Sequence, residues 1–139
     1  MDNNKDLLDH FLNKRVENFN YYVSKLEKIK NVHILRNYDL NSISSNYCIT
    51  LILKKHLSKF RNQIVEELKK LGVGTSIYYP GPVPLFKYYK TKYNLKSRSF
   101  PNALCISNQS ISFPTGPHID KSIIDEIIFC INKVFNIFK

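Results

Sequence analysis

Three of the chain's six prolines, Pro80, Pro82 and Pro84, fall within five residues of one another. They directly follow TSIYY, residues 75–79, whose β-branched and aromatic residues are typical of a strand. Proline lacks the N–H that a sheet ladder needs, and it biases the preceding residue toward extended geometry. The sequence therefore predicts a strand over residues 75–79 that ends in a rigid turn just after two tyrosines.

The first 30 residues predict one long amphipathic helix. Apolar residues recur there at spacings of three and four, the helical period, over residues 4–30. The stripe consists of Leu8, Leu12, Phe19, Val23 and Leu26, flanked by Leu7, Phe11, Val16 and Tyr22. A helix of about 27 residues is long for a small domain, so we expect part of it to pack outside this domain's own core.

Shorter elements complete an α+β pattern. Residues 47–53, YCITLIL, predict a buried strand that follows a polar loop over residues 37–46. A helix is expected from an N-cap at Ser58 to Leu71, with Gly72 as its C-cap.

The remaining residues predict two short helices, a strand and a long helix. The short helices are expected at residues 85–93 and at residues 100–109, with Pro101 at or near the start of the second. Residues 110–113, SISF, predict a third strand, and Asp120 is expected to cap the final helix. The fold class is therefore α+β, a small, mainly antiparallel sheet flanked by helices, in a single domain over residues 1–139.

Several classes of protein are excluded by the sequence. The first fourteen residues mix acidic with apolar residues, so we expect no signal peptide there. The most apolar run, residues 122–139, contains charged residues that argue against a membrane span. Cys48, Cys105 and Cys130 show no CxxC spacing, so we expect small buried thiols in a reducing cytoplasm. The four histidines share no metal-ligand spacing, and a surface or capping role is expected for His118.

The net charge of +10 is unevenly distributed. No acidic residue lies between Glu67 and Asp120. The basic residues of this interval are Lys69, Lys70, Lys87, Lys90, Lys92, Lys96 and Arg98. Such a stretch favours an anionic partner such as a phosphorylated cofactor, a nucleotide-linked substrate or nucleic acid, and the alternative is a solvated lysine-rich surface.

Three segments, in this order, resemble the C-terminal small domain of the DegT/StrS-type sugar aminotransferases, pyridoxal phosphate (PLP) enzymes of fold type I. They are NKRVENFNYYVSKLEKI, FRNQIVEELKKLGVGTSIYYPGPVPLFKYYKTKY and FPNALCISNQSISFPTGPHIDKSIIDEII. The resemblance extends from about residue 7 to residue 138. It implies the α+β fold of the small domain in those transferases.

The resemblance also implies a substrate-binding role for the stretch that ends in the proline turn. Tyr78, Tyr79, Pro80 and Pro82 are expected to line the substrate cleft, with Lys87 close to an anionic ligand. Many family members have histidines where Tyr78 and Pro84 stand, and proline offers no polar side-chain group. The alternative is that the two tyrosines only alternate across a half-buried strand.

The family's cofactor site is expected to lie outside this chain. The resemblance implies PLP in the intact enzyme, bound as a Schiff base to a lysine of a large N-terminal domain. None of the 17 lysines here stands in a context that resembles that lysine. We therefore expect no catalytic residue and no cofactor in this chain alone.

Three partners follow from the resemblance: the large PLP-binding domain (a separate chain or a missing part), a nucleotide-sugar substrate, and a second copy in a homodimer of the intact enzyme. In the family the long first helix packs against the large domain. The isolated chain should therefore expose part of the surface formed by Leu7, Phe11 and Phe19, and should self-associate.

Three functional hypotheses remain open at this point. The first is a part of a sugar aminotransferase, which would move an amino group from glutamate or glutamine to a nucleotide-linked keto-sugar. The second is a basic, non-enzymatic module that binds nucleic acid or another polyanion, supported by YYKTKY at residues 88–93. Against it, lysine outnumbers arginine by 17 to 4, although arginine is favoured for bidentate phosphate contacts. The third is an inactive gene remnant.

Overall fold

The computed structural model describes residues 3–37, 39 and 41–139, apart from the side chains of Asn3 and Lys55. The elements are α1 (Asn3–Leu26), β1 (Val32–Leu35), β2 (Cys48–Leu53), α2 (Arg61–Lys70), α3 (Lys87–Lys92), α4 (Pro101–Gln109), β3 (Ser110–Pro114) and α5 (Lys121–Ile137). Short 3-10 turns lie at Lys55–Phe60, Val83–Leu85 and Ser97–Ser99. Among the described residues, no helix combines the length and apolarity needed to cross a membrane.

The three strands form one antiparallel sheet in the order β1–β2–β3. Leu51 of β2 pairs with Ile34 of β1 on one side and with Ile111 of β3 on the other. Because β2 has a neighbour on each side and carries β-branched and leucine side chains, most of it is buried. The expected α+β class with an antiparallel sheet is confirmed.

Helices α1, α2 and α5 pack with the sheet around one core. The helical residues at its centre are Tyr22, Leu26, Ile64, Leu68, Ile124, Ile127, Ile131 and Val134. At the surface, Lys25 Nζ lies 2.9 Å from Asp125 Oδ1, and the Tyr21 hydroxyl donates to Asp125 Oδ2 at 2.9 Å. Burial of the apolar stripe of α5 confirms the face that its periodicity predicts.

The predicted cap of α5 is confirmed, and the glycine predicted to end α2 stands one residue after the C-cap, which is Leu71. The Asp120 carboxylate accepts a hydrogen bond from the Ile123 N–H at 2.9 Å and from the Ser122 hydroxyl at 2.7 Å, and these bonds lower the pKa of Asp120. Gly72 follows α2 with a φ of 81°, and its N–H donates to the Lys69 carbonyl at 3.0 Å. A left-handed residue at this position satisfies carbonyls of the last helical turn, which is why glycine stands there.

Helix boundaries near the start of the chain differ from prediction. Helix α1 ends at Leu26 and not near residue 30, because residues 27–31 form turns in which Asn31 has a φ of 67°. The helix predicted to start at Ser58 begins at Arg61, and Ser58 lies within the preceding 3-10 turn. Ser58 is therefore not the N-cap, a position that Phe60 occupies.

Two strand predictions also need correction. Strand β1 was not predicted, since it has four residues beside a polar loop and exposes His33 and Leu35. Residues 75–79 do not form a strand: only Ser76 pairs, exchanging hydrogen bonds of 3.0 and 2.8 Å with Ser112 of β3. The turn after α2 lies before this segment and the prolines follow it from Pro80 onward. Between them the extended chain is so short that only one of its residues pairs with β3.

The other predicted elements are mostly in place. Helix α3 and the 3-10 turn before it fall within or next to residues 85–93, α4 begins at Pro101 and β3 covers SISF. Tyr38 and Leu40 of the predicted polar loop lie outside the described residues. The burial predicted for the cysteines is wrong for Cys105, which is exposed on the outer side of α4, whereas Cys48 and Cys130 are half-buried.

One buried side chain joins α1 to the connection between β3 and α5. Asn18 is 1% exposed, and its amide nitrogen Nδ2 lies 2.8 Å from the Ile119 carbonyl, 3.1 Å from that of Gly116 and 3.2 Å from that of Thr115. Because all three partners are acceptors, they require the NH2 group and not the amide oxygen on this side. Asn18 thus fixes residues 115–119 against the helix.

We expect Asn18→Ala to destabilise the fold by about 3 kcal/mol, since it leaves buried carbonyls without donors. The matched control is Asn20→Ala, two positions along the same helix but exposed, which should change stability by less than about 0.5 kcal/mol. Urea unfolding followed by circular dichroism measures both. Equal effects of the two substitutions would contradict a structural role for Asn18.

Candidate functional site

Three tyrosines form a cluster at the surface beside the end of the sheet. The ring centroids of Tyr47 and Tyr78 lie 5.7 Å apart with an interplanar angle of 57°, and those of Tyr78 and Tyr79 lie 6.1 Å apart at 78°. These tilted arrangements are favourable aromatic contacts. All three residues are exposed, so Tyr47, Tyr78 and Tyr79, the tyrosine cluster, present aromatic edges and hydroxyl groups to solvent.

Strand β3 brings the cluster together. Cys48, the first residue of β2, pairs with Pro114 at the end of β3, which places the preceding residue, Tyr47, at that end of the sheet. The bridge between Ser76 and Ser112 brings the other segment to the outer edge of β3. Tyr78 follows two residues later and therefore reaches Tyr47, which lies 31 positions earlier in the chain.

A cleft of about 310 Å³, the tyrosine cleft, lies beside the cluster. Its lining consists of Tyr47, Cys48, Gly74, Thr75, Ser76, Tyr78, Ser112, Phe113 and Pro114. No lining residue carries a charge, and most of its polar side-chain groups are hydroxyls that both donate and accept hydrogen bonds. A neutral ligand rich in hydroxyl groups, such as a sugar ring, suits this combination of aromatic surface and hydroxyls.

A larger polar cleft of about 580 Å³ adjoins the tyrosine cleft. It lies between α1, the end of β1, the loop that follows and β2, and it shares Tyr47 and Cys48 with the tyrosine cleft. Its basic residue, Arg36, is already paired with Glu27. Tyr47 therefore stands on the boundary between two polar concavities.

The environment of Tyr47 raises the pKa of its hydroxyl, which is protonated at neutral pH as in any tyrosine. Although 52% of the residue is exposed, desolvation by burial raises the pKa of the Tyr47 hydroxyl from about 10 to about 12, with smaller contributions from Cys48 and Tyr78. At neutral pH the group is a hydrogen-bond donor and acceptor and carries no charge. Tyr47 is suited to binding a hydroxyl or carbonyl group of a ligand.

The residues that the sequence predicts for the site do not all come together. Tyr78 lines the tyrosine cleft, and the ring of Tyr79 packs against the ring of Tyr78. Pro80 is exposed, and Pro82 is buried in the turn. Lys87 does not line the cleft and instead begins α3, where it lines a separate surface depression. The proposed binding roles of these five residues stay predictions.

Sequence reasoning missed Tyr47. It was predicted as the first residue of a buried strand, whereas β2 begins at Cys48, and only the β2–β3 register shows that Tyr47 meets Tyr78. A usable signal was its aromatic character at the junction between a polar loop and a buried strand, which is a common position for binding residues.

The clefts do not fit PLP by themselves. A PLP site needs an amine for the Schiff base, cationic or backbone donors for the phosphate and a partner for the pyridine nitrogen. The tyrosine cleft contains no lysine, arginine or carboxylate side chain, and the polar cleft contains no lysine. Within the described part of the chain, no group of three or more histidine, cysteine or acidic residues is placed to hold a metal ion.

Comparison with known sequences and structures gives consistent matches. Residues 6–132 match the DegT/DnrJ/EryC1/StrS aminotransferase family. Over 68 residues, 49% of this chain and 18% of the relative, the sequence is 35% identical to the erythromycin biosynthesis sensory transduction protein EryC1 of Saccharopolyspora erythraea.

Solved structures share the fold. PseC of Helicobacter pylori, an aminotransferase involved in the biosynthesis of pseudoaminic acid, aligns with a TM-score of 0.81 at 20% identity, over 92% of this chain and 33% of its own. The PLP form of Spr1654 from Streptococcus pneumoniae aligns with a TM-score of 0.80 at 22% identity, over 93% of this chain and 32% of its own. The chain thus spans about a third of the length of these proteins. The predicted fold is confirmed.

We expect the hydroxyl of Tyr47 to titrate near pH 12, well above the ordinary value for tyrosine. Because folding raises this pKa, the protonated hydroxyl contributes to the free energy of unfolding. This contribution is complete below pH 10 and is lost as the pH rises from about 10 to about 12. The measurement is an ultraviolet absorbance titration of the native chain minus that of Tyr47→Phe. A difference curve with its midpoint near pH 10 would contradict the described environment.

Proposed function

The chain belongs to the DegT/DnrJ/EryC1/StrS aminotransferase family, and we propose that it acts as the C-terminal small domain of a PLP-dependent sugar aminotransferase. The intact enzyme would transfer an amino group from glutamate or glutamine to a keto-sugar carried on a nucleoside diphosphate. The observation that carries the proposal is the uncharged, hydroxyl-lined tyrosine cleft in a chain of this family. Its chemistry suits a sugar ring.

In this proposal the chain binds and orients the substrate and performs no chemistry alone. The hydroxyls of Tyr47 and Tyr78 donate to and accept from sugar oxygens, and the rings cover an apolar face of the sugar. The rigid turn behind Tyr79 holds this wall with little ordering cost on binding. The amine, the phosphate donors and the cofactor itself belong to the large domain, since the clefts of this chain do not fit PLP.

The large domain is the partner that we propose for the exposed face of α1. Leu7, Leu8, Phe11 and Val16 are each between 38% and 56% exposed, although the same helix buries Tyr22 and Leu26 in the core near its end. Phe19, also expected to be exposed, is partly buried against the core. The large domain, on the same polypeptide or a separate chain, would cover this surface, and the assembled enzyme would be a homodimer in the cytoplasm.

The two other hypotheses have less support. The family match does not favour a nucleic-acid module. An inactive remnant would carry the same fold and the same cleft, so catalysis by an assembled enzyme is the observation that separates a remnant from a working domain.

The first test measures amino transfer after co-expression with the large domain encoded in the source genome. We expect Tyr78→Phe to lower kcat/KM for the sugar nucleotide about fivefold to tenfold, because it removes one hydrogen bond worth about 1 kcal/mol. Tyr21→Phe, which removes a surface hydroxyl on α1 that binds Asp125, should leave kcat/KM unchanged. Unchanged kcat/KM in Tyr78→Phe would exclude the tyrosine cleft as the sugar site.

The second test concerns the α1 face. We expect the isolated chain to self-associate and the double variant Leu7→Lys/Phe11→Lys to be monomeric in size-exclusion chromatography, because two exposed apolar side chains are replaced. The same variant should assemble with the large domain at least about tenfold more weakly. The control is Phe129→Lys/Ile137→Lys, which alters two exposed apolar residues of α5. If both variants assemble equally well, the large domain does not dock on α1.

A further inference from the structure

The short helix α3 exposes three tyrosine rings at once. Tyr88, Tyr89 and Tyr93 are between 41% and 63% exposed, and no residue of α3 is buried. Large aromatic side chains left in solvent forgo the stabilisation that burial gives, and contiguous exposed aromatic surface is typical of binding sites. The surface formed by α3 and Tyr93 is called the α3 surface below.

Contacts within the α3 surface hold its rings and one ammonium group in place. Lys92 Nζ donates to the Tyr88 hydroxyl at 3.1 Å, and it lies 5.3 Å from the centroid of the Tyr88 ring and 5.4 Å from that of Tyr93. The rings of Tyr89 and Tyr93 are almost parallel, at 9°. The helical spacing of four residues brings Lys92 to Tyr88 and Tyr93 to Tyr89, because side chains four positions apart lie on one face.

Within the described part of the chain, no acidic side chain pairs with the lysines of the α3 surface. The four ion pairs among the described residues use Lys14, Lys25, Arg36 and Lys70, whereas Lys87, Lys90 and Lys92 take part in none. No acidic residue occurs between positions 67 and 120 of the sequence. The ammonium groups of these three lysines therefore have no carboxylate partner that an external anion would have to displace.

The chemistry and size of this surface select the ligand. A flat aromatic ring stacks on tyrosine, and phosphate groups pair with lysine. A ligand that contains an aromatic ring and phosphate groups therefore suits this surface. A helix of six residues is about 9 Å long, which matches a single nucleotide, whereas single-stranded nucleic acids occupy about 4 to 16 nucleotides per binding domain. The favoured ligand is a mononucleotide.

We propose that the α3 surface binds the nucleoside diphosphate moiety of the sugar nucleotide. The base stacks on the ring of Tyr88, and the diphosphate pairs with Lys87 and Lys92, which line one surface depression together with Tyr88. The inference rests on the proposed function in one respect, namely that the nucleotide carries a sugar. It separates two recognition tasks: the uncharged tyrosine cleft takes the sugar and the cationic α3 surface takes the nucleotide.

The experiment is a titration of the full, isotopically labelled chain with uridine diphosphate, followed by amide chemical shifts. We expect shifts concentrated in residues 87–93 at concentrations up to about 5 mM, which detects a Kd near 1 mM. The variant Tyr88→Ala/Lys92→Ala should bind about tenfold more weakly. The matched control, Phe129→Ala/Lys133→Ala, removes an exposed aromatic and a lysine at the same spacing from α5 and should bind as the native chain does.

Three further probes define the outcomes. Uridine and inorganic pyrophosphate should each bind more weakly than uridine diphosphate, because each offers only half of the recognition. Pyrophosphate that binds as well as uridine diphosphate would overturn the stacking, and shifts confined to other residues, or none, would overturn the site. An octathymidylate that binds more tightly than uridine diphosphate would replace the proposal with single-stranded nucleic acid.

The assembled enzyme separates this inference from the proposed function. If Tyr88→Ala/Lys92→Ala raises KM for the sugar nucleotide about tenfold with little change in kcat, both stand. If the native assembly transfers amino groups and the variant has an unchanged KM, only the α3 inference fails. If uridine diphosphate binds to the α3 surface but no amino transfer occurs in the assembly, only the proposed function fails.

Discussion

The hydrogen bonds of Asn18 are the constraint on which this small domain depends. A connection between a strand and a helix contains carbonyl groups that neither element satisfies, and leaving them buried without donors is costly. One amide group from α1 donates to three carbonyls of this connection, at residues 115, 116 and 119, of which that of Gly116 also accepts from the Ile119 N–H. Thr115 in turn donates its hydroxyl to the carbonyl of Asn46, immediately before Tyr47. These four hydrogen bonds thereby link α1, the connection that leads to α5 and the residue next to the tyrosine cleft.

Much of the fold could be predicted because its signals are local. The cap at Asp120, the glycine after α2 and the stripe of α5 each depend on residues within one or two helical turns. Strand β1 was not predicted because four residues beside a polar loop are too few to show the alternation of apolar and polar residues that indicates a strand. Residues 75–79 have the composition of a strand, but pairing requires an available edge over several residues, and only Ser76 meets Ser112.

The candidate site was only partly predictable for the same reason. Tyr78 and Tyr79 stand out in the sequence because prolines follow them, whereas Tyr47 joins them only through the register of β2 with β3. The resemblance implied that Lys87 lies close to an anionic ligand of the same site, and the structure places this residue on the surface of α3, outside the lining of the tyrosine cleft. Residues that are near one another in the sequence can lie apart in space when a turn redirects the backbone between them. The proline turn lies between Tyr79 and Lys87.

The uneven burial of α1 has a consequence for the dynamics of the helix. Its second half, from Asn18 to Leu26, is anchored in the core, while its first half extends beyond that core with most side chains in solvent. Local opening costs little where few apolar contacts are broken, so amide protons in the first half should exchange with solvent through fraying, and those in the second half through global unfolding. A partner that covers the first half would join the two parts into one cooperative unit. The helix would then transmit the stability of one domain to the other.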